Sequence, residues 1–198
     1  IAVSAGPRFA GSFVFHVKIR GKGGHGSRPD LSVNPVFAAA NALCNTAVAF
    51  ENQLDVNETV TLGITGINGS ETNNIIPDSS TVLGTLRFFN PEEGKKAVKL
   101  LKTVFNHTAF MHRCTVDYMM TDIILQPVIN DSEASALAVK ALSAALPKDS
   151  IATVDKWFAS ESFSEYLRRY KGVLAFLGIR NPEKGCGAEH HNEHFDVD

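Results

Sequence analysis

The sequence predicts an α/β chain that opens with a ferredoxin-like βαββαβ unit, and three observations carry that reading. Four stretches, residues 12–20, 59–67, 82–89 and 115–121, carry the period-two or apolar pattern of strands. Two Asn-Pro pairs, Asn34-Pro35 and Asn90-Pro91, open helical patterns between them. The order is strand, helix, strand, strand, helix, strand, a split βαβ sandwich with its helices on one sheet face. After Leu125-Gln126-Pro127 the pattern changes, and the rest reads as part of a second α/β unit.

In the first strand Phe13, Phe15, Val17 and Ile19 share one face, while Val14, His16, Lys18 and Arg20 share the more polar one. His16 is expected at the surface. GKGGHGSRPD, residues 21–30, follows and carries His25 on backbone that glycine alone can bend freely. The loop is neither GxxxxGK[ST] nor GxGxxG, so it has no phosphate-cradling signature. On its own it reads as a solvated hairpin tip. Asn34 then caps a helix with Pro35 at its first position. Val36, Ala40, Leu43, Ala47 and Phe50 recur at helical spacing as a narrow buried stripe, with Cys44 buried beside it.

The second strand alternates Val60, Leu62 and Ile64 with Thr59, Thr61 and Thr65, and ends in the loop NGSETNNIIPD. After the third strand, Asn90-Pro91 starts a helix in which Glu93 is placed to complete a capping box. Ala97, Leu101, Val104 and Phe105 form its apolar face. The open sheet face and edge strands remain available to a partner.

Beyond the boundary expected at 121/122, Asp131 or Ser132 caps a helix whose apolar positions are Ala134, Leu137, Ala138, Ala141, Leu142 and Ala145. Ser160 is expected to cap a short helix in SESFSEYLRRY, and residues 173–177 read as a buried strand. This region is about 75 residues, close to the size at which one core is marginal. The chain opens at Ile1, and a unit upstream is expected.

Composition narrows the function. A net charge of −2 and a pI near 6.4 leave no electrostatic footprint for nucleic acid or an anionic membrane. No apolar run approaches the ~20 residues of a membrane span, and no signal peptide is evident. Three dispersed cysteines form neither a disulfide framework nor a CxxC motif, which points to a reducing cytoplasm. Near the end, EHHNEHFDVD gathers His190, His191 and His194 with Glu189, Glu193 and Asp196, the donor types that zinc-like ions take. Without an HExxH helix the cluster reads equally as solvated loop histidines.

Five motifs in order, GKGGHGSRPD, GINGSETNNIIPD, GTLR, ASESFSEY and HHNEHFD, resemble a family of metal-dependent peptidases and amidohydrolases. That family contains aminoacylase, hippurate hydrolase, indole-acetyl-amino-acid hydrolases, carboxypeptidases and succinyl-diaminopimelate desuccinylase. The resemblance implies that residues 12–121 are a lid that also dimerises, that 1–11 end the first half of a zinc-peptidase α/β catalytic domain, and that 122–198 are its C-terminal part. It implies two divalent ions, zinc with manganese or cobalt as alternatives, and hydrolysis of N-acyl amino acids or short peptides by metal-activated water.

Residue by residue, the resemblance makes His25 the catalytic histidine that enters the partner subunit's active site and polarises the scissile carbonyl. Asn74 of NIIP and Arg87 of GTLR become substrate-binding residues; on their own they read as a turn residue and a strand cation. His191, four residues before Phe195, becomes a metal ligand, with His190 the alternative. Glu161 falls near the site, although Ser162 stands where the family has aspartate, and a carboxylate favoured by a helix N-terminus explains it nearly as well. The remaining metal ligands and the general base have no counterpart in this sequence. A reading of another class is a catalytically inactive dimerisation or binding module built on the same sheet.

Overall fold

The computed structural model describes residues 1–120 and 124–198, so the expected boundary at 121/122 lies outside the described residues. The strands are β1 (Gly6–Phe9), β2 (Gly11–Arg20), β3 (Gly24–His25), β4 (Val60–Asn68), β5 (Ile75–Ile76), β6 (Ser79–Phe88), β7 (Thr115–Met120), β8 (Ile124–Leu125) and β9 (Val128–Asn130). The α-helices are α1 (Pro35–Gln53), α2 (Pro91–Met111), α3 (Ser132–Ala145) and α4 (Ser164–Leu167).

The main sheet has the order β4-β6-β2-β7, antiparallel throughout, with β8 beside the start of β2 on the edge that β7 also uses. With α1 between β2 and β4 and α2 between β6 and β7, this is the expected ferredoxin-like order. Phe13, Phe15, Val17 and Ile19 of β2 point under the helices and meet Val82, Leu86, Ala97, Leu101 and Phe105. Burial of each such side chain stabilises by about 1.5–3 kcal/mol, so this face anchors the whole ferredoxin-like unit.

Both Asn-Pro helix starts form as expected. The Asn34 side chain accepts from Val36 N at 3.0 Å, and Asn90 accepts from Glu92 N and Glu93 N at 3.0 and 3.3 Å. Glu93 does not close a capping box. Its carboxylate reaches across to Asp55 N at 2.6 Å, which ties the α1–β4 loop to the start of α2. The buried face of α1 is also not the expected stripe: Ala38, Ala39, Ala42 and Thr46 face inward, whereas Ala40 and Ala47 are exposed and Val36, Leu43 and Phe50 half-buried. The sheet's phenylalanines already fill the space beneath α1, so the face with the smallest side chains packs there. Cys44, two residues from Ala42 and thus on the far side of the helix, is exposed rather than buried.

Helix α2 carries one close approach. A Cβ on Gly94 would overlap the ring of fully buried Phe88. Helix propensity favours alanine by about 1 kcal/mol, but overpacking a filled core costs about 1–3 kcal/mol. Gly94→Ala is therefore expected to lower stability by roughly 1 kcal/mol, read as a reduced denaturation midpoint at unchanged m-value.

The second region builds on the N-terminal segment. Strand β1 pairs β9, and Ala2 bridges both Ala152 and Phe176. The Asn130 amide donates to Ser4 O and Leu174 O at 2.9 Å each, and its oxygen accepts from Leu174 N at 2.8 Å. Residues 173–177 are thus an extended, half-exposed segment held by Ala2 and Asn130, and not the expected buried strand. Asp131 caps α3, accepting from Ala134 N at 2.9 Å. Of that helix only Ser135 is buried, and its expected core residue Leu137 is 69% exposed. The helix expected from Ser160 is shorter, starting at Ser164, and the Ser160 hydroxyl accepts from Arg87.

Candidate functional site

Two short strands that no period announces hold the glycine loop. Strand β3 pairs β5, with His25 opposite Ile75, and Gly26 N donates to Asn74 O at 2.8 Å. His25 and Asn74 are therefore neighbours on one exposed ribbon. The loop is pinned at its base, where Gly23 N donates to Asp78 Oδ1 at 2.8 Å. On its far side Arg28 grips Asp30 through two hydrogen bonds of 2.9 and 2.7 Å, which holds the Asp30 carboxyl below its ordinary range. The His25 Nδ1 faces Ser27, whose N lies at 3.1 Å and Oγ at 2.8 Å.

Arg87 sits at the other end of the sheet. Its alternating neighbours on β6 face the helices, so its side chain lies on the open face, where Nη1 donates to Ser160 Oγ at 2.9 Å. Glu161 follows, its Oε1 accepting from Phe163 N at 3.1 Å and Ser162 Oγ at 3.2 Å. This is the contact by which the second region docks on the sheet, together with Ala10 N donating to Trp157 O and Ala159 O and the edge contact of Phe89 with Phe158. From Ser79, beside the His25 ribbon, to Arg87 is eight residue steps of β6, roughly 26 Å at strand rise. Within one chain His25 and Asn74 do not meet Arg87.

The histidine-rich loop lies on the Arg87 side. The His190 ring packs edge-on against Trp157 at 5.6 Å and Phe195 at 5.1 Å, so it anchors the loop as an aromatic wedge. It lines a cavity of about 670 Å³ with Ile1, Phe9, Trp157 and Phe176. His191 is exposed and takes φ 64°, a backbone conformation few side chains adopt. Among the described residues no three His, Cys, Asp or Glu side chains are grouped to hold a metal ion. Ser27 and Trp157 were not singled out in the sequence, and Ser160 only as a helix cap. Only Ser27 left a local signal, standing two residues after His25.

Comparison with known proteins fits this arrangement. Residues 10–111, just over half the chain, match the model of the M20 peptidase dimerisation domain. The chain belongs to the M20 peptidase family. It is 30% identical over its whole length to thermostable carboxypeptidase 2 of Saccharolobus solfataricus, covering 49% of that protein. To the IAA-amino acid hydrolase ILR1-like 4 of Arabidopsis thaliana it is 28% identical over 97% of its length and 44% of the relative's. Among solved structures it superposes on a protein of methicillin resistant Staphylococcus aureus with a TM-score of 0.84 at 23% identity, covering 99% of this chain and 50% of that one. The Bacillus subtilis YXEP protein, described as a dinuclear metal binding peptidase of the M20 family, gives 0.75 at 20% identity over 100% and 47%. This M20 chain spans about half the length of the relatives it matches. Among its described residues no helix is long and apolar enough to cross a membrane.

Proposed function

We propose that this M20 chain serves a metal-dependent amidohydrolase that cleaves the amide bond of N-acyl amino acids or short peptides as a homodimer. In this reading residues 12–121 are the lid and dimerisation domain, and 1–11 with 122–198 belong to the catalytic domain. The observation that carries it is the length of β6, roughly 26 Å at strand rise from Ser79, beside the His25 ribbon, to Arg87, joined to a β4 edge that pairs with no further strand among the described residues.

On that edge strand Ile64 and Ile67 are exposed. Such an edge suits a second copy of the chain. If β4 pairs with its two-fold mate, the strands run antiparallel. The His25 end of one sheet then lies beside the Arg87 end of the other, because Thr61 of β4 is level with Arg87 and Asn68 with the opposite end. One composite site per subunit results, with His25 and Asn74 from one copy and Arg87, Glu161 and His191 from the other.

At such a site the Arg87 fork matches a substrate carboxylate. His25 and Asn74 donate hydrogen bonds where negative charge develops on the scissile carbonyl oxygen. Two divalent ions, zinc or else manganese or cobalt, would activate the attacking water. His191 is the donor this chain offers them, and the general base is assigned to none of its residues. Free thiols at Cys44, Cys114 and Cys186 suit a cytoplasmic protein.

The test is free-amine release from a panel of N-acyl amino acids and dipeptides by the full-length protein, with and without zinc or manganese. Metal-dependent release is expected, at least tenfold above the chelated protein. A dimer that releases no amine under any metal condition would overturn the hydrolase reading and leave a dimerisation module.

A further inference from the structure

We propose that Ser27 is a positioning residue that holds His25 in its Nε2-protonated tautomer, so that the ring meets its ligand as an N–H donor. The proposal rests on the hydrolase reading only for what that donor is used for.

The backbone turns back at His25, where Arg28 N donates to His25 O at 2.9 Å. Ser27 is the third residue of this turn, and its N–H points at the His25 ring with N to Nδ1 at 3.1 Å. A backbone amide can only donate. Nδ1 must therefore present its lone pair, and a neutral imidazole then carries its proton on Nε2. The other tautomer would set Nδ1–H against the amide hydrogen. The arrangement is the histidine counterpart of an Asx turn, with a ring nitrogen accepting from the amide two residues on. The Ser27 hydroxyl at 2.8 Å adds a second donor to the same lone pair.

The frame around this turn is fixed on both sides. Gly26 N is tied to Asn74 O, and the Arg28–Asp30 fork closes the loop. A Cβ on Gly26 would stand 3.3 Å from Asn74 O, so glycine lets the ribbon approach closely enough for the turn to form. Nδ1 is thus engaged from within the loop, and Nε2 is the nitrogen left to face a ligand. In that state the nitrogen that faces a ligand already carries its proton. Its chemistry is donation toward a carbonyl oxygen or an oxyanion, and proton abstraction falls to another group.

Long-range proton–nitrogen correlation on protein labelled with ¹⁵N-histidine reads the tautomer directly, with His25→Ala assigning the signals. At a pH where the ring is neutral, the wild type is expected to show the Nε2–H pattern. Ser27→Ala keeps the amide and should keep that pattern. Ser27→Pro removes both donors and should give mixed tautomers. Its kcat in the full-length enzyme should fall about three- to tenfold at unchanged KM, the worth of one ordinary hydrogen bond. An Nδ1–H or mixed pattern in the wild type overturns the proposal, whatever the variants do. So does a Ser27→Pro protein whose spectrum and kcat match the wild type. Absence of any turnover in the wild type would defeat the hydrolase reading alone, because the spectrum decides the tautomer without activity.

Discussion

Replacing His25 by alanine in the full-length enzyme is expected to lower kcat by about 10²–10³, the usual cost of removing one donor to a developing oxyanion. KM and metal content should hardly change. The side chain is exposed, and its hydrogen bonds are local ones to Ser27, so the substitution leaves the β3–β5 pairing and the core under α1 and α2 in place. A thermal midpoint close to that of the wild type is part of the expected result. Steady-state kinetics on a metal-loaded preparation, with metal content measured on the same sample, checks both halves. A kcat within a few-fold of the wild type would remove His25 from the chemistry. A tenfold rise in KM at unchanged kcat would instead make it a ground-state binding residue.

The contrast between Asn34 and Ala40 explains which parts of this molecule a reader of the sequence could see. Helix starts were legible because Asn-Pro acts within its own three residues. The four main strands were legible because β2 and β6 each bury one face, which imposes a period of two. The face that α1 buries was not, because alanines lie on both of its stripes and the choice between them belongs to the phenylalanines of β2. Glu93 was misread for a similar reason, since its partner Asp55 lies 38 residues away in a loop that no local pattern places.

The site divides in the same way. His25 stood out because glycines surround it, yet β3 and β5 are two residues long and carry no period, so its pairing beside Asn74 was invisible. The Arg87 contact with Ser160 joins residues 73 apart. His190 and His191 were adjacent letters, His191 the ligand that the resemblance implied and His190 its alternative. Packing separates them, placing His190 against Trp157 and Phe195 and leaving His191 exposed.

Mixing two inactive variants should restore activity, and this follows from the length of β6. In the proposed homodimer His25→Ala and Arg87→Ala would each damage both composite sites, so neither protein alone should turn over appreciably. In a heterodimer, one site combines the intact Arg87 of the first subunit with the intact His25 of the second, while the other site lacks both. Random subunit exchange makes half the dimers heterodimers with one good site in two, so roughly a quarter of wild-type activity is expected for a two-fold dimer. Co-expression with two affinity tags isolates the heterodimer, for which the expected value rises to roughly half. If His25 and Arg87 of one chain served the same site, every site in the heterodimer would lack one of them and no activity would return. About 26 Å of strand from Ser79, beside the His25 ribbon, to Arg87 argues against that arrangement, because a carboxylate and the amide carbonyl of a small N-acyl amino acid lie within a few ångströms of each other.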